Sequence, residues 1–81
     1  MTSRDKLVEE VYEHLAMRIR EERERQGLSM LAVAERAGLS QQMVSYVERS
    51  MRNPSLGTLI RVCDVLKLDI AKFIREAMRA K

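Results

Sequence analysis

The chain has 81 residues, 46% of them apolar and 33% charged, with one Pro, three Gly, one Cys, one His and a net charge of +3. That is one small domain with a thin core, too apolar for a disordered tail, and a lone Cys and His exclude a disulfide framework and a zinc site. The charge is uneven: from Arg36 to Arg61 four arginines (Arg36, Arg49, Arg52, Arg61) accompany a single acid, Glu48, which makes a local basic surface suited to a polyanion.

The opening stretch, "MTSRDKLVEEVYEHLAMR", intersperses acids and holds no apolar run, so it does not read as a secretory signal. Ser3 is placed to cap a first helix with Leu7, Val8, Val11, Tyr12, Leu15 and Ile19 at helical spacing. This extended helix, residues 3–26, runs through "RIREERERQ" and stops at Gly27. Its charge run reads as a solvated face, with Glu21 and Arg25 spaced for an i,i+4 pair. His14 has no carboxylate or Cys at ligand spacing and reads as a surface histidine. Ser29 caps a short second helix, "MLAVAERA", which Gly38 ends, and Ser40 caps a third, "QQMVSYVERS". After the loop "SMRNP", Pro54 and Ser55 start a fourth helix. Its inward stripe is Leu56, Leu59, Ile60, Cys63 and Leu66, with Cys63 a core thiol. Asp69 caps a fifth helix, "IAKFIREAMRA", residues 69–80. Strand-like alternation is absent, and no segment approaches the roughly 18–20 apolar residues of a membrane span. The expected fold is all-α: one five-helix domain, residues 1–81, soluble and cytoplasmic.

Residues 29–50 carry the most specific pattern. Ala34 is small where two helices would cross closely, Gly38 sits where the chain must turn, and Val44 points inward one turn beyond the Ser40 cap. That is the spacing of a helix-turn-helix. A plain αα-corner would use the same three residues, but packing alone does not require the polar Gln41, Gln42 and Ser45 that follow.

The segments "RIREERERQGLS", "AERAGLSQQMVSYVER", "RNPSLGTL" and "VLKLDIAKFI" resemble the Cro and phage-repressor type of helix-turn-helix regulator. That lambda-repressor-like group includes small restriction–modification controller proteins and some antitoxins, and the resemblance covers roughly Met17 to Ile74. It implies that the third helix enters the DNA major groove, reads bases from its first turn, and works in a dimer. By resemblance, Gln41 and Gln42 read bases, and the chemistry agrees, since a Gln amide matches the N6 and N7 edge of adenine. Ser45 and Tyr46 fall on the same face one turn on. Phosphate donors are Arg49 and Arg52, Asn53 and the fourth helix's N-terminus at Ser55, with Arg36 a further candidate. The resemblance also pairs Arg23 with Glu48 as a structural ion pair between the first and third helices. Two departures stand out. Met30, followed by Leu31 and Ala32, replaces the Gln that usually opens the second helix and reaches a phosphate. Lys67 stands where a helix-ending Gly is common.

Nothing assembles a nucleophile, a base and oxyanion donors, so no enzyme, catalytic residue, cofactor or small-molecule ligand is expected. The apolar stripe Ile70, Phe73, Ile74, Ala77 and Met78 runs past the family's usual end, and Leu7, Val8 and Val11 precede its usual start. Such surplus apolar surface suits a dimer interface. The reading is a sequence-specific regulator that binds double-stranded DNA as a homodimer on a palindrome. The alternative is a protein-interaction module, antitoxin-like, docking a partner at Met30 and Leu31.

Overall fold

Local chemistry sets the helix bounds. The computed structural model describes residues 3–51 and 53–79. Five helices, and no strand, occur among them: α1 (Ser3–Arg25), α2 (Met30–Ala37), α3 (Gln41–Glu48), α4 (Leu56–Leu66) and α5 (Ile70–Arg79). The last four start on capping residues the sequence nominates. Ser29 Oγ accepts from the Ala32 N–H at 3.0 Å, Ser40 Oγ from Met43 at 3.1 Å, Ser55 Oγ from Thr58 at 3.1 Å and Asp69 Oδ1 from Lys72 at 3.2 Å. α1 is already helical at Ser3, the first described residue, so Ser3 stands inside the helix rather than in the capping position expected of it.

The first four helices end in one way, each on a residue of positive φ: Gly27 (71°), Gly38 (70°), Ser50 (53°) and Lys67 (59°). The next amide then reaches back five residues, from Leu28 to Arg23 O, Leu39 to Ala34 O, Met51 to Tyr46 O and Leu68 to Cys63 O, at 2.8–3.1 Å. Glycine takes this conformation freely, whereas a side chain strains it. The Lys67 departure therefore keeps the turn and carries its strain. Lys67→Gly should stabilise the fold by about 1 kcal/mol, seen as a higher urea midpoint at unchanged slope. A lower midpoint would mean that the Lys67 side chain stabilises more than its backbone strains.

Packing follows from α1. Its 23 residues make a rod of about 34 Å, nearly the whole 36 Å long dimension of the molecule. α5 lies along it, α3 and α4 pack on it, and α2 packs on α3 and α4. Leu15, Ile19, Val33, Val44, Val62 and Leu66 are buried where these helices meet, each worth about 1.5–3 kcal/mol of burial. Two expectations need correction here. The inward stripe of α4 is Leu59, Val62, Cys63 and Leu66, an i, i+3, i+4, i+7 arc, while Leu56 and Ile60 are 60% and 48% exposed. Ile60 lies about 100° round the helix from Leu59, and Leu56 sits on the open first turn. His14 is half-buried rather than on the surface, its Nε2 3.1 Å from Glu76 Oε1, because α5 runs beside α1.

On α1 itself Arg25 pairs with Glu22, not Glu21. Its Nε donates to both Glu22 oxygens, at 3.1 and 3.0 Å, and Glu21 lies 3.8 Å from Arg18 instead. Hydrogen bonds from Arg25, then Gln26, hold the Glu22 carboxyl down to about 2. Gln26 also donates to Leu66 O at 2.8 Å, tying the end of α1 to the end of α4. No described helix is long and apolar enough to cross a membrane.

Candidate nucleic-acid interface

The α2–α3 corner is built from its smallest parts. Ala34 is 1% and Val44 0% exposed, so the two helices meet without intervening bulk. Gly38 turns the chain between them. A Cβ there would meet Arg61 Nη1 at 3.4 Å as well as carrying the positive φ. Arg61 Nη1 also donates to Ala37 O at 3.4 Å, which braces the end of α2 from α4.

This corner sets the face of α3. Gln41 and Gln42 follow the Ser40 cap and are exposed, and Ser45 and Tyr46, one turn on, are half-buried. With Arg49, Met30 and Met51 these four line a single surface depression. Within it Gln42 Nε2 donates to the Tyr46 hydroxyl at 2.7 Å, and Arg49 Nη1 donates to Ser45 Oγ at 3.3 Å. Gln41 has no side-chain partner among the described residues. The face therefore offers amide donors and acceptors at the positive end of α3, with hydroxyls one turn on and a guanidinium beyond its C-terminal end, the chemistry that base edges and phosphates accept.

The phosphate candidates divide. Arg49 and Asn53 are exposed beside this face, while Arg52 lies outside the described residues. The Ser55 hydroxyl is occupied: it caps α4 and donates its proton to Thr58 Oγ1 at 3.0 Å. Any donor at that site is the backbone amide of the first turn, not the Ser55 side chain. Arg36 is exposed at the end of α2 but lines no part of the depression. Met30 is half-buried against the core, which gives the apolar opening of α2 a packing role, whereas Leu31 is 50% exposed.

Arg23 and Glu48 hold the face in place. Arg23 Nε and Nη2 donate to the two Glu48 oxygens at 2.5 and 2.9 Å, and Nη1 donates to Leu28 O at 2.8 Å. One guanidinium thus joins α1, the α1–α2 link and the last residue of α3. Glu48 is 6% exposed, and its hydrogen bonding raises the Arg23 pKa above the ordinary guanidinium value. Tyr12 does similar work from α1, its hydroxyl donating to Pro54 O at 3.1 Å and pinning the loop before α4. Neither Tyr12 nor Arg61 carries a local sequence signal for its role. Both bonds span long separations in the chain. Burial pushes the Cys63 thiol up to about 11, as expected of an inert core cysteine.

The candidate interface stripe on α5 is split. Phe73 and Ala77 are 4% and 6% exposed and pack within the chain, with the Arg18 guanidinium carbon 4.8 Å above the Phe73 ring. They cannot form an intermolecular surface, because the long α1 already covers them. Ile70 and Ile74 are half-buried, and Met78 is 48% exposed. Ile74 and Met78 line an apolar groove of about 380 Å³ with Val8, Val11, Tyr12 and Leu56.

Comparison with known proteins identifies the family and the fold that carry this face. The helix-turn-helix family matches residues 19–73. An HTH-type transcriptional regulator of Sinorhizobium fredii, y4dL, is 35% identical over 68 residues, which are 84% of this chain and 35% of that protein. The chain thus spans about a third of the curated relative it matches. Among solved structures, the clp gene regulator ClgR of Corynebacterium glutamicum superposes with a TM-score of 0.74 at 27% identity, over 86% of this chain and 74% of that one. A mutant of the restriction–modification controller protein C.Esp1396I shares the fold, with a TM-score of 0.72 at 19% identity over 85% of this chain and 90% of its own. The chain belongs to the helix-turn-helix family, of the Cro and phage-repressor type, whose members are DNA-binding transcription regulators rather than enzymes.

Proposed function

We propose that the chain is a sequence-specific regulator that binds a palindromic operator as a homodimer, with α3 in the major groove. The observation that carries this reading is the exposed pair Gln41 and Gln42 on the first turn of α3, set beside Arg49 and braced from behind by Arg23 and Glu48. Gln41 and Gln42 read bases; Ser45 and Tyr46 complete the face. Arg49, Arg52, Asn53 and the backbone amides at the start of α4 take phosphates. The dimer forms over the apolar groove between α1, α4 and α5, where Val8, Leu56 and Met78 remain exposed.

Selection from random duplex DNA tests the whole reading. The expected product is a palindrome whose half-sites lie about one helical turn, 34 Å, apart. Enrichment of no sequence at low salt would reject it. On the selected site Gln41→Ala should cost about 1–3 kcal/mol and relax the preference at one base pair per half-site, with little change on random duplex. Wild-type affinity in that variant would remove Gln41 from the reading face.

A further inference from the structure

Resting on the regulator reading above, we infer that Gln42 and Tyr46 read a single adenine–thymine pair as one unit, Tyr46 being a positioning residue that sets the plane of the Gln42 amide. Two glutamines side by side invite the assumption that they read alike. The structure distinguishes them. Gln42 Nε2 donates to the Tyr46 hydroxyl at 2.7 Å, whereas Gln41 has no side-chain partner among the described residues. The two bonded residues are four apart on α3 and so share a face.

The tyrosine is suited to hold rather than to search. It is half-buried, it borders a second recess with Met43, Met51, Pro54 and Thr58, and its backbone carbonyl accepts from the Met51 N–H at 3.0 Å. An exposed glutamine has rotamers to lose on binding. Fixing one amide proton on the hydroxyl of a half-buried tyrosine removes part of that loss beforehand, and preorganisation of this kind sharpens recognition. The amide keeps its carbonyl oxygen and its second N–H. Those match the N6 donor and N7 acceptor of adenine in the major groove, and no other base offers that pair of groups there.

The test uses the full chain and duplexes carrying each substitution at every position of the selected site. Gln42→Ala identifies the base pair that Gln42 reads. Tyr46→Phe, with folding checked by circular dichroism, should lose about tenfold of the discrimination at that same pair, and the pair should be A·T. The double variant should lose no more than Gln42→Ala alone. Full discrimination in Tyr46→Phe, its loss at a different pair, a double variant that loses the product of the two factors, or a G·C preference at that position would each overturn the inference while leaving the regulator reading in place. A wild type that selects no sequence would overturn both.

Discussion

Glu48→Ala should destabilise the protein by about 3–5 kcal/mol, the largest effect expected of any single change away from the apolar core. The reason lies in what would remain. The Arg23 side chain is 11% exposed, and two of its three nitrogens bond to Glu48. Removing the carboxylate leaves a guanidinium largely out of water with only Leu28 O to receive it. Its charge cannot be dismissed by titration, since arginine stays protonated at any pH where the protein folds. Against a total stability of about 5–15 kcal/mol for a domain, such a loss takes a large share. The pair itself is a different matter. Arg23→Met with Glu48→Leu removes both charges together and should recover most of the loss, because desolvation then disappears with the attraction. Urea unfolding of the two single variants and the double variant measures this directly. A Glu48→Ala midpoint close to wild type would show that water reaches Arg23 and that the pair holds nothing. DNA binding should fail with stability in the single variant, because Glu48 is the residue on which α3 ends.

What the sequence made legible was whatever is decided within a few residues. Ser29, Ser40, Ser55 and Asp69 cap, and Gly27 and Gly38 turn, because a short polar side chain or a missing Cβ acts on the adjoining amides wherever it occurs. The positive φ at Ser50 and Lys67 was not readable in that way. There the tertiary packing imposes a turn that the residue does not favour. Phase was lost on α4, since "LGTLIRVCDVL" carries apolar residues at most positions and several arcs look equally good. The arc that won is the one α1 and α2 press against. Partners distant in the chain were invisible: His14 and Glu76 are 62 residues apart, and Tyr12 and Pro54 are 42 apart. The candidate site was more legible than the packing, because its glutamines stand out on a surface where charge would be the ordinary choice. The Arg23–Glu48 contact came from likeness to a family and not from spacing. The hydroxyl bond that separates Gln42 from Gln41 lies at i,i+4 and was within reach of the sequence, yet nothing in it ranks that bond above a contact to DNA.

Met78→Glu should give a folded monomer that binds the palindrome on the order of a hundredfold more weakly than wild type. The expectation starts from unburied apolar surface. Val8 is 46%, Leu56 60%, Ile60 48% and Met78 48% exposed, and Val8, Leu56 and Met78 border one groove, with Ile60 a turn beyond Leu56. A monomer rarely leaves such a patch in water, and a second copy covers it with the same residues in exchange. The packing of α1 on α5 inside the chain hides Phe73 and Ala77 and so narrows the interface to the rim of that contact. Phe73→Ala is therefore the wrong probe, because at 4% exposure the ring is core and its loss costs about 3–5 kcal/mol of folding. Met78 can be changed without opening the core. A carboxylate there meets solvent in the monomer at little cost, whereas across a two-fold interface it would have to be buried against apolar neighbours. Two linked recognition helices bind a palindrome far better than one, since the second half-site is engaged at high effective concentration, and separating the protomers forfeits that gain. Sedimentation should report wild type as a dimer at micromolar concentration and Met78→Glu as a monomer with an unchanged helical spectrum. A wild type that stays monomeric at about 100 micromolar would remove the dimer, because an interface weaker than that contributes less than about 6 kcal/mol and could not assemble the regulator ahead of its DNA.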